Sequence, residues 1–239
     1  MIRLRQIAFA ATDLAAAEQA LTSALGVRLC HRDPGVGVFG LRNALYPVGD
    51  QFLEIVAPVQ PDTTAGRLLA KRGGDCGYMA LFQTTALGPV EERLSEAGIR
   101  VVLDAAGDGI RGLHLHPKDV PGAIVSIDAA DEPAEWPWAG PDWRRHIDTT
   151  TVNAIAGMDV TVADPAAAAA TWGHVLGLSP ADDALAVDDG IVRFVPTRPG
   201  DPRQGITAVD LATTDAALAG TSRDLLGVTL RFTPASDTA

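Results

Sequence analysis

At 239 residues with 47% hydrophobic side chains, the chain can fill one large core or two small ones, which argues against global disorder. A formal net charge of −11, with no basic cluster denser than Arg144-Arg145-His146, argues against a nucleic-acid partner, because phosphate binding needs concentrated cations. No apolar run reaches membrane-span length, Met1-Ile2-Arg3-Leu4-Arg5-Gln6 lacks a signal-peptide core, and Cys30 and Cys76 lie outside any C-x-x-C pair; the expectation is a cytoplasmic protein with two structural thiols and no membrane partner.

In chain order, Gln6 to Thr12 is apolar and strand-length, and Asp13 then offers an N-cap. Leu14, Ala17, Leu21 and Leu25 recur at helical spacing, and Gly26 closes that helix. Strands are expected at Val27 to His31, Val38 to Leu45 and Gln51 to Ala57, with Pro58 ending the last. The unit reads β-α-β-β-β, and it recurs. Tyr78 to Thr84 is a strand, Leu87, Val90, Leu94 and Ala97 mark a helix ended by Gly98, and strands follow at Ile99 to Leu103, Ile110 to His116 and Ala123 to Asp128.

Asp131 to Thr151 carries Pro133, Pro137 and Pro141 with Trp136, Trp138 and Trp143, and reads as a linker. Its tryptophans either form a ligand-stacking lid or pin the linker onto a domain surface, since Trp buries a large area wherever it lands. A third unit starts at Met158 to Ala163, with Asp164-Pro165 as N-cap and first helical residue and Gly177 as the stop. A fourth starts at Ile206 to Thr213, with a helix expected from Asp215 to Gly227 and a strand from Val228 to Phe232. The expected division is 1–130, a linker at 131–151, and a shortened half at 152–239.

Strand alternation selects the chemistry-bearing side chains. Around Glu54, Leu53 and Ile55 face a helix while Phe52, Glu54 and Val56 face the other way. Glu54 lies mid-strand in an apolar run, so it needs a metal, a cation or a hydrogen-bond donor. Leu113 and Leu115 likewise send His114 and His116 to the opposite side, where two imidazoles can bind one divalent metal or act as acid and base. The alternatives are that His116 only orders the turn at Pro117 and that His114 is a half-buried polar residue.

Three stretches carry a resemblance: Gln6-Ile7-Ala8-Phe9-Ala10-Ala11-Thr12-Asp13-Leu14, Gly49-Asp50-Gln51-Phe52-Leu53-Glu54-Ile55-Val56, and His116-Pro117-Lys118-Asp119-Val120-Pro121-Gly122. With the paired units they resemble the vicinal oxygen chelate superfamily, which includes glyoxalase I, methylmalonyl-CoA epimerase, extradiol dioxygenases and bleomycin-resistance proteins. The third stretch looks like the H-P-K-D-x-x-G segment of the epimerases. The resemblance implies an α+β fold in which tandem β-α-β-β-β modules form an open curled sheet barrel, followed by a shorter, degenerate second pair of modules. It also implies a divalent metal (Zn, Mn, Ni or Fe) held by the first and fourth strands of each unit. Those positions fall on Gln6 and Glu54 in unit one, and on Tyr78 and Ser126 in unit two, where Ser126 replaces the epimerase Glu. In the second half the alignable positions hold Gly157, Arg193 and Ala208.

Two functions compete. In the first, Glu54 with Gln6, His114 and His116 holds a metal, and Glu54 and His114 serve an isomerase, lyase or dioxygenase acting on a small oxygenated metabolite. In the second, the chain is a metal-free binder of the bleomycin-resistance type that sequesters a small molecule, with Phe52, Tyr78, Phe82 and Ser126 lining the pocket. Either reading leaves room for a homodimer.

Overall fold

The computed structural model describes residues 1–200 and 203–235. The first strand, β1 (Ile2–Ala10), leads into α1 (Leu14–Leu25), whose Leu14, Ala17, Leu21 and Leu25 are buried as their spacing requires. The Asp13 carboxylate accepts from the backbone N–H groups of Ala15 (2.9 Å) and Ala16 (3.2 Å), and Gly26 ends the helix in the left-handed region. The expected strand at Val27 to His31 is absent as such. His31 makes only an isolated bridge to Leu45, so the segment touches the sheet edge at one point without forming a strand. Pro34–Phe39 is a 3₁₀ turn started by Asp33, and the strand placed at Val38 begins at Leu41 as β2 (Leu41–Val48). After β3 (Gln51–Pro58) comes a helix that alternation did not disclose, α2 (Thr64–Arg72), capped by the Thr63 hydroxyl on Gly66 N at 2.9 Å.

The second unit follows its expected order: β4 (Cys76–Thr84), α3 (Gly88–Glu96), β5 (Val101–Gly107), β6 (Ile110–Leu115) and β7 (Ile124–Ala130). One seven-stranded sheet results, ordered β2-β3-β1-β4-β7-β6-β5 and curled into a half-barrel. Its first strands β1 and β4 pair antiparallel at the centre, and each runs parallel to the last strand of its own unit, β3 or β7.

The second half repeats this plan in a flatter sheet. β8 (Ala154–Val162), α4 (Pro165–Leu176), β9 (Ala184–Val187) and β10 (Gly190–Pro196) form one unit, and β11 (Gly205–Thr213), β12 (Ser222–Leu225) and β13 (Val228–Pro234) the other. The order is β12-β13-β11-β8-β10-β9. The helix expected from Asp215 to Gly227 does not form. Asp215 caps a single turn by accepting from Ala217 N, Gly220 takes a positive φ, and Leu226-Gly227 make a hairpin turn with both φ positive. A Thr-Ser pair and two glycines leave too few consecutive helix formers, and the β12–β13 ladder claims the rest.

One apolar core joins the two sheets. It holds Ile7, Phe9, Leu53, Ile55, Phe82, Leu113 and Ile127 from the first half with Met158, Val160, Trp172, Phe194 and Leu230 from the second. Trp172 of α4 stacks edge-on against Phe82 at 5.9 Å and Phe194 at 5.3 Å, and its indole N–H donates to Pro121 O at 2.8 Å. Polar bonds continue the joint. Arg3 pairs with Asp50 and Asp189, and the Gln51 amide donates to Leu4 O and Ile155 O while accepting from Ile155 N. No helix among the described residues is long and apolar enough to cross a membrane.

Candidate functional site

The inner face of the curled sheet opens into a cavity of about 710 Å³. Alternation delivers Glu54 to it as expected: Leu53 and Ile55 enter the shared core, and Glu54 turns inward, 7% exposed. Two amides hold its carboxylate. Gln6 Nε2 donates to one oxygen at 2.8 Å and Asn43 Nδ2 to the other at 2.7 Å. Neither amide is free to turn over. The Trp136 indole N–H, which can only donate, takes Gln6 Oε1 at 2.7 Å, and Asp33 N takes Asn43 Oδ1 at 2.8 Å. Burial raises the Glu54 pKa above the ordinary carboxylate range, the two amide bonds oppose that shift, and Asp33 adds to it.

His114 reaches the same cavity from β6, while Leu113 and Leu115 point to the core. Desolvation lowers its pKa to about 4, so it is a neutral imidazole at physiological pH. His116 lies just past the strand end at the cavity rim, and its Nδ1 accepts from Lys118 N at 3.1 Å, which orders the turn at Pro117. Tyr78 lines the wall, its hydroxyl pushed up to about 12 by burial and then by the Glu54 charge. The register refines its position. Leu81 faces Ser126 as Ala8 faces Glu54, so the residue of β4 equivalent to Gln6 is Met79, and Tyr78 is the extra residue of a β-bulge.

The other expected pocket residues lie elsewhere. Phe82 faces the core between the sheets, against Trp172, so it is no pocket wall. Phe52 shares the inner face with Glu54 but is covered by Trp143 at 5.0 Å, edge-on. Ser126 is fully buried, opposite His114 on β7, and donates to Asp128 at 3.1 Å without lining the cavity.

The linker tryptophans divide between the two alternatives. Trp136 and Trp143 are 0% and 2% exposed and plug one end of the half-barrel around the guanidinium of Arg5, which lies 5.5–5.9 Å from the Phe52, Trp136 and Trp143 rings. Trp138 does line the cavity, and its indole N–H points to Asp128 at 3.4 Å. Asp128, which sequence reading passed over, is fully buried, has one carboxylate oxygen without a partner, and is raised to about 7 by desolvation. Its signal was available: it shares a face with Ser126, two residues away. Asn43 was equally readable, as a polar residue in phase with Leu45 on β2.

The divalent metal implied by the resemblance finds a poor donor set. Gln6 would have to offer Oε1, which the Trp136 indole holds, and it turns its NH₂ group toward Glu54 instead. Among the described residues no three His, Cys, Asp or Glu side chains converge to hold a metal, so Glu54, His114 and His116 do not assemble the expected set. The cysteines are not ligands either: burial pushes Cys30 up to about 12 and Cys76 up to about 11, and Cys30 donates to Leu45 O at 3.3 Å.

The second sheet shows what became of the same positions. Ala8 faces Glu54 as Asp159 faces Arg193, and Leu81 faces Ser126 as Asp210 faces Arg231. Both fourth-strand positions are thus arginines and both first-strand neighbours aspartates. They close into a ring: Arg193 pairs with Asp159 (2.7 Å) and Asp210, and Arg231 with Asp159 (2.8 Å) and Asp210 (2.5 Å).

Comparison with known proteins agrees with this architecture. A glyoxalase-like domain family matches residues 7–176. A hypothetical protein from Staphylococcus aureus is similar over 98% of this chain and 100% of its own, with 12% identity and a TM-score of 0.73, a likeness of fold across both halves. A Streptomyces coelicolor methylmalonyl-CoA epimerase in complex with 2-nitronate-propionyl-CoA is 24% identical over 54% of this chain and 98% of its own, with a TM-score of 0.49. The methylmalonyl-CoA epimerase of Mycobacterium tuberculosis is 25% identical over 53% and 87%, with a TM-score of 0.47. No curated protein matches the chain.

Proposed function

Since the chain belongs to the glyoxalase-like domain family, within the vicinal oxygen chelate superfamily, we propose that its cavity binds a small, largely apolar molecule without a divalent metal. The ligand's polar end donates to Glu54. The observation that carries this reading is the locked chain Trp136–Gln6–Glu54–Asn43, which gives the carboxylate two amide donors and leaves no oxygen of Gln6 for a metal. Ala8, Leu45, Met79, Leu81 and Trp138 supply apolar wall around that polar floor, the usual composition of a small-molecule site.

Thermal melting tests the metal-free part. Wild type and Glu54→Gln are melted with EDTA and with Zn, Mn, Ni or Fe(II), and the wild-type midpoint is expected not to move. A metal-dependent rise that Glu54→Gln abolishes would restore the metallo-enzyme reading, because a ligand bound only to the native state must stabilise it. A second reading, proton-transfer catalysis of the isomerase or lyase kind, draws on the presence of both Glu54 and a neutral His114 in one cavity. It predicts that a bound carbon acid exchanges deuterium from D₂O with wild type and not with Glu54→Gln.

A further inference from the structure

We propose that the molecule bound in the cavity carries a protonated amine that ion-pairs with Glu54, with an apolar or aromatic body filling the rest. This rests on the cavity being the binding site. Glu54 is enclosed in an apolar chamber, and each of its oxygens receives a neutral amide donor, not a cation. The carboxylate lines the chamber. Among the described residues Glu54 forms no ion pair. Asp33, which caps the 3₁₀ turn at the mouth, adds a second carboxylate to the same wall.

The other titratable groups on the cavity do not balance these acids. His114 is neutral, Tyr78 keeps its proton, and His116 is held in its turn. Arg67 is the one guanidinium among the described lining residues. It lies on α2, donates to Asp62 O and to the Thr64 hydroxyl at 3.2 Å and acts on Tyr78, but it forms no ion pair with Glu54 or Asp33, and one guanidinium stands against two carboxylates. An enclosed carboxylate facing only neutral donors is one cation short, and a ligand ammonium supplies what burial has removed.

The walls suit such a guest. Tyr78 and Trp138 present aromatic rings to the chamber, and Met79 a thioether, all of which tolerate a cation better than aliphatic carbon does. Val38 (81% exposed), Phe39 (47%) and Val102 (54%) gather at the mouth, where an apolar body would emerge. The formal charge of −11 also favours the approach of a cation over an anion.

The test is calorimetric titration of wild type with three probes of one shape: 1-naphthylmethylamine, 1-naphthylmethanol and 1-naphthoate. The amine is expected to bind about tenfold or more tightly than the alcohol, since an ionic hydrogen bond replaces a neutral one, and naphthoate most weakly. In Glu54→Gln, checked for folding by circular dichroism, the amine preference should fall to about twofold or less while alcohol binding persists. In Ala105→Trp, which fills the cavity from β5, all binding should fall. Equal binding of amine and alcohol, or tighter binding of naphthoate, overturns the amine while the cavity reading stands, and an amine preference that survives Glu54→Gln overturns the pairing with Glu54. If none of the three binds wild type, or Ala105→Trp binds as well as wild type, both fail. If Glu54→Gln does not fold, the amine-to-alcohol ratio of wild type decides alone.

Discussion

Two buried side chains make opposite demands on pH and on hydrogen bonding. Asp128 is raised to about 7 by burial, opposed by the Ser126 and Trp138 bonds. The folded protein therefore holds this proton across a window, from about 4 to about 7, in which the unfolded chain has released it. Stability from this group is fully present below about 4 and lost as pH rises to about 7. Asp128→Asn should flatten that decline, by about 2–3 kcal/mol between pH 5 and pH 8 in denaturant unfolding. Glu54 adds a slope of the same sign, and His114, lowered to about 4, one of opposite sign below its ordinary value, so the comparison with the Asn variant isolates Asp128. Trp136 is the second case. Trp136→Phe keeps the ring and deletes the donor, leaving Gln6 Oε1 buried and unpaired. The expected cost is about 1–3 kcal/mol, read as a shift in denaturant midpoint with an unchanged slope. A neutral outcome would mean that Gln6 can turn over, which would reopen its oxygen to other partners.

At the scale of the element, legibility followed periodicity. The β3 and β6 strands alternate cleanly, so Glu54 and His114 were placed on the inner face from sequence and are found there. α1 and α4 announced themselves through Asp13 and Asp164, both of which cap as read. What failed to show was anything settled by neighbours. Simple alternation from Tyr78 puts Phe82 on the pocket wall; a bulge beside Tyr78 shifts the phase of β4, and α4 covers the other side. α2 escaped because its mean hydropathy is low and only Ala65 and Leu69 are buried. The helix read at Asp215 to Gly227 lost to the β12–β13 hairpin, a tertiary choice that local propensity does not contain. Gly112 on β6 is a further product of packing. A Cβ there would overlap the Asp128 carboxylate. Gly112→Ala should therefore cost about 1–3 kcal/mol and loosen Trp138, which a red shift and stronger acrylamide quenching of tryptophan emission would report.

At the scale of the whole molecule, the two halves divide the sequence but not the core. The seven-stranded and the six-stranded sheet share one apolar interior, and Trp172 is its hinge-pin, in contact with Phe82 on one side and Phe194 on the other. Trp172→Ala should cost about 3–5 kcal/mol. Calorimetry of wild type should show one cooperative transition, and two separated transitions would show that the halves fold apart. The repeat of one plan in both sheets raises a different question: how many guests a single chain receives. The ring of Asp159, Arg193, Asp210 and Arg231 answers it. The positions that leave a carboxylate facing a chamber in the first sheet carry matched charges in the second, and each is satisfied by its neighbours without a visitor. On the proposed function, duplication therefore does not double capacity. Saturation should come at one equivalent per chain along a simple hyperbola, without the sigmoid or biphasic shape that two linked copies of a site would draw.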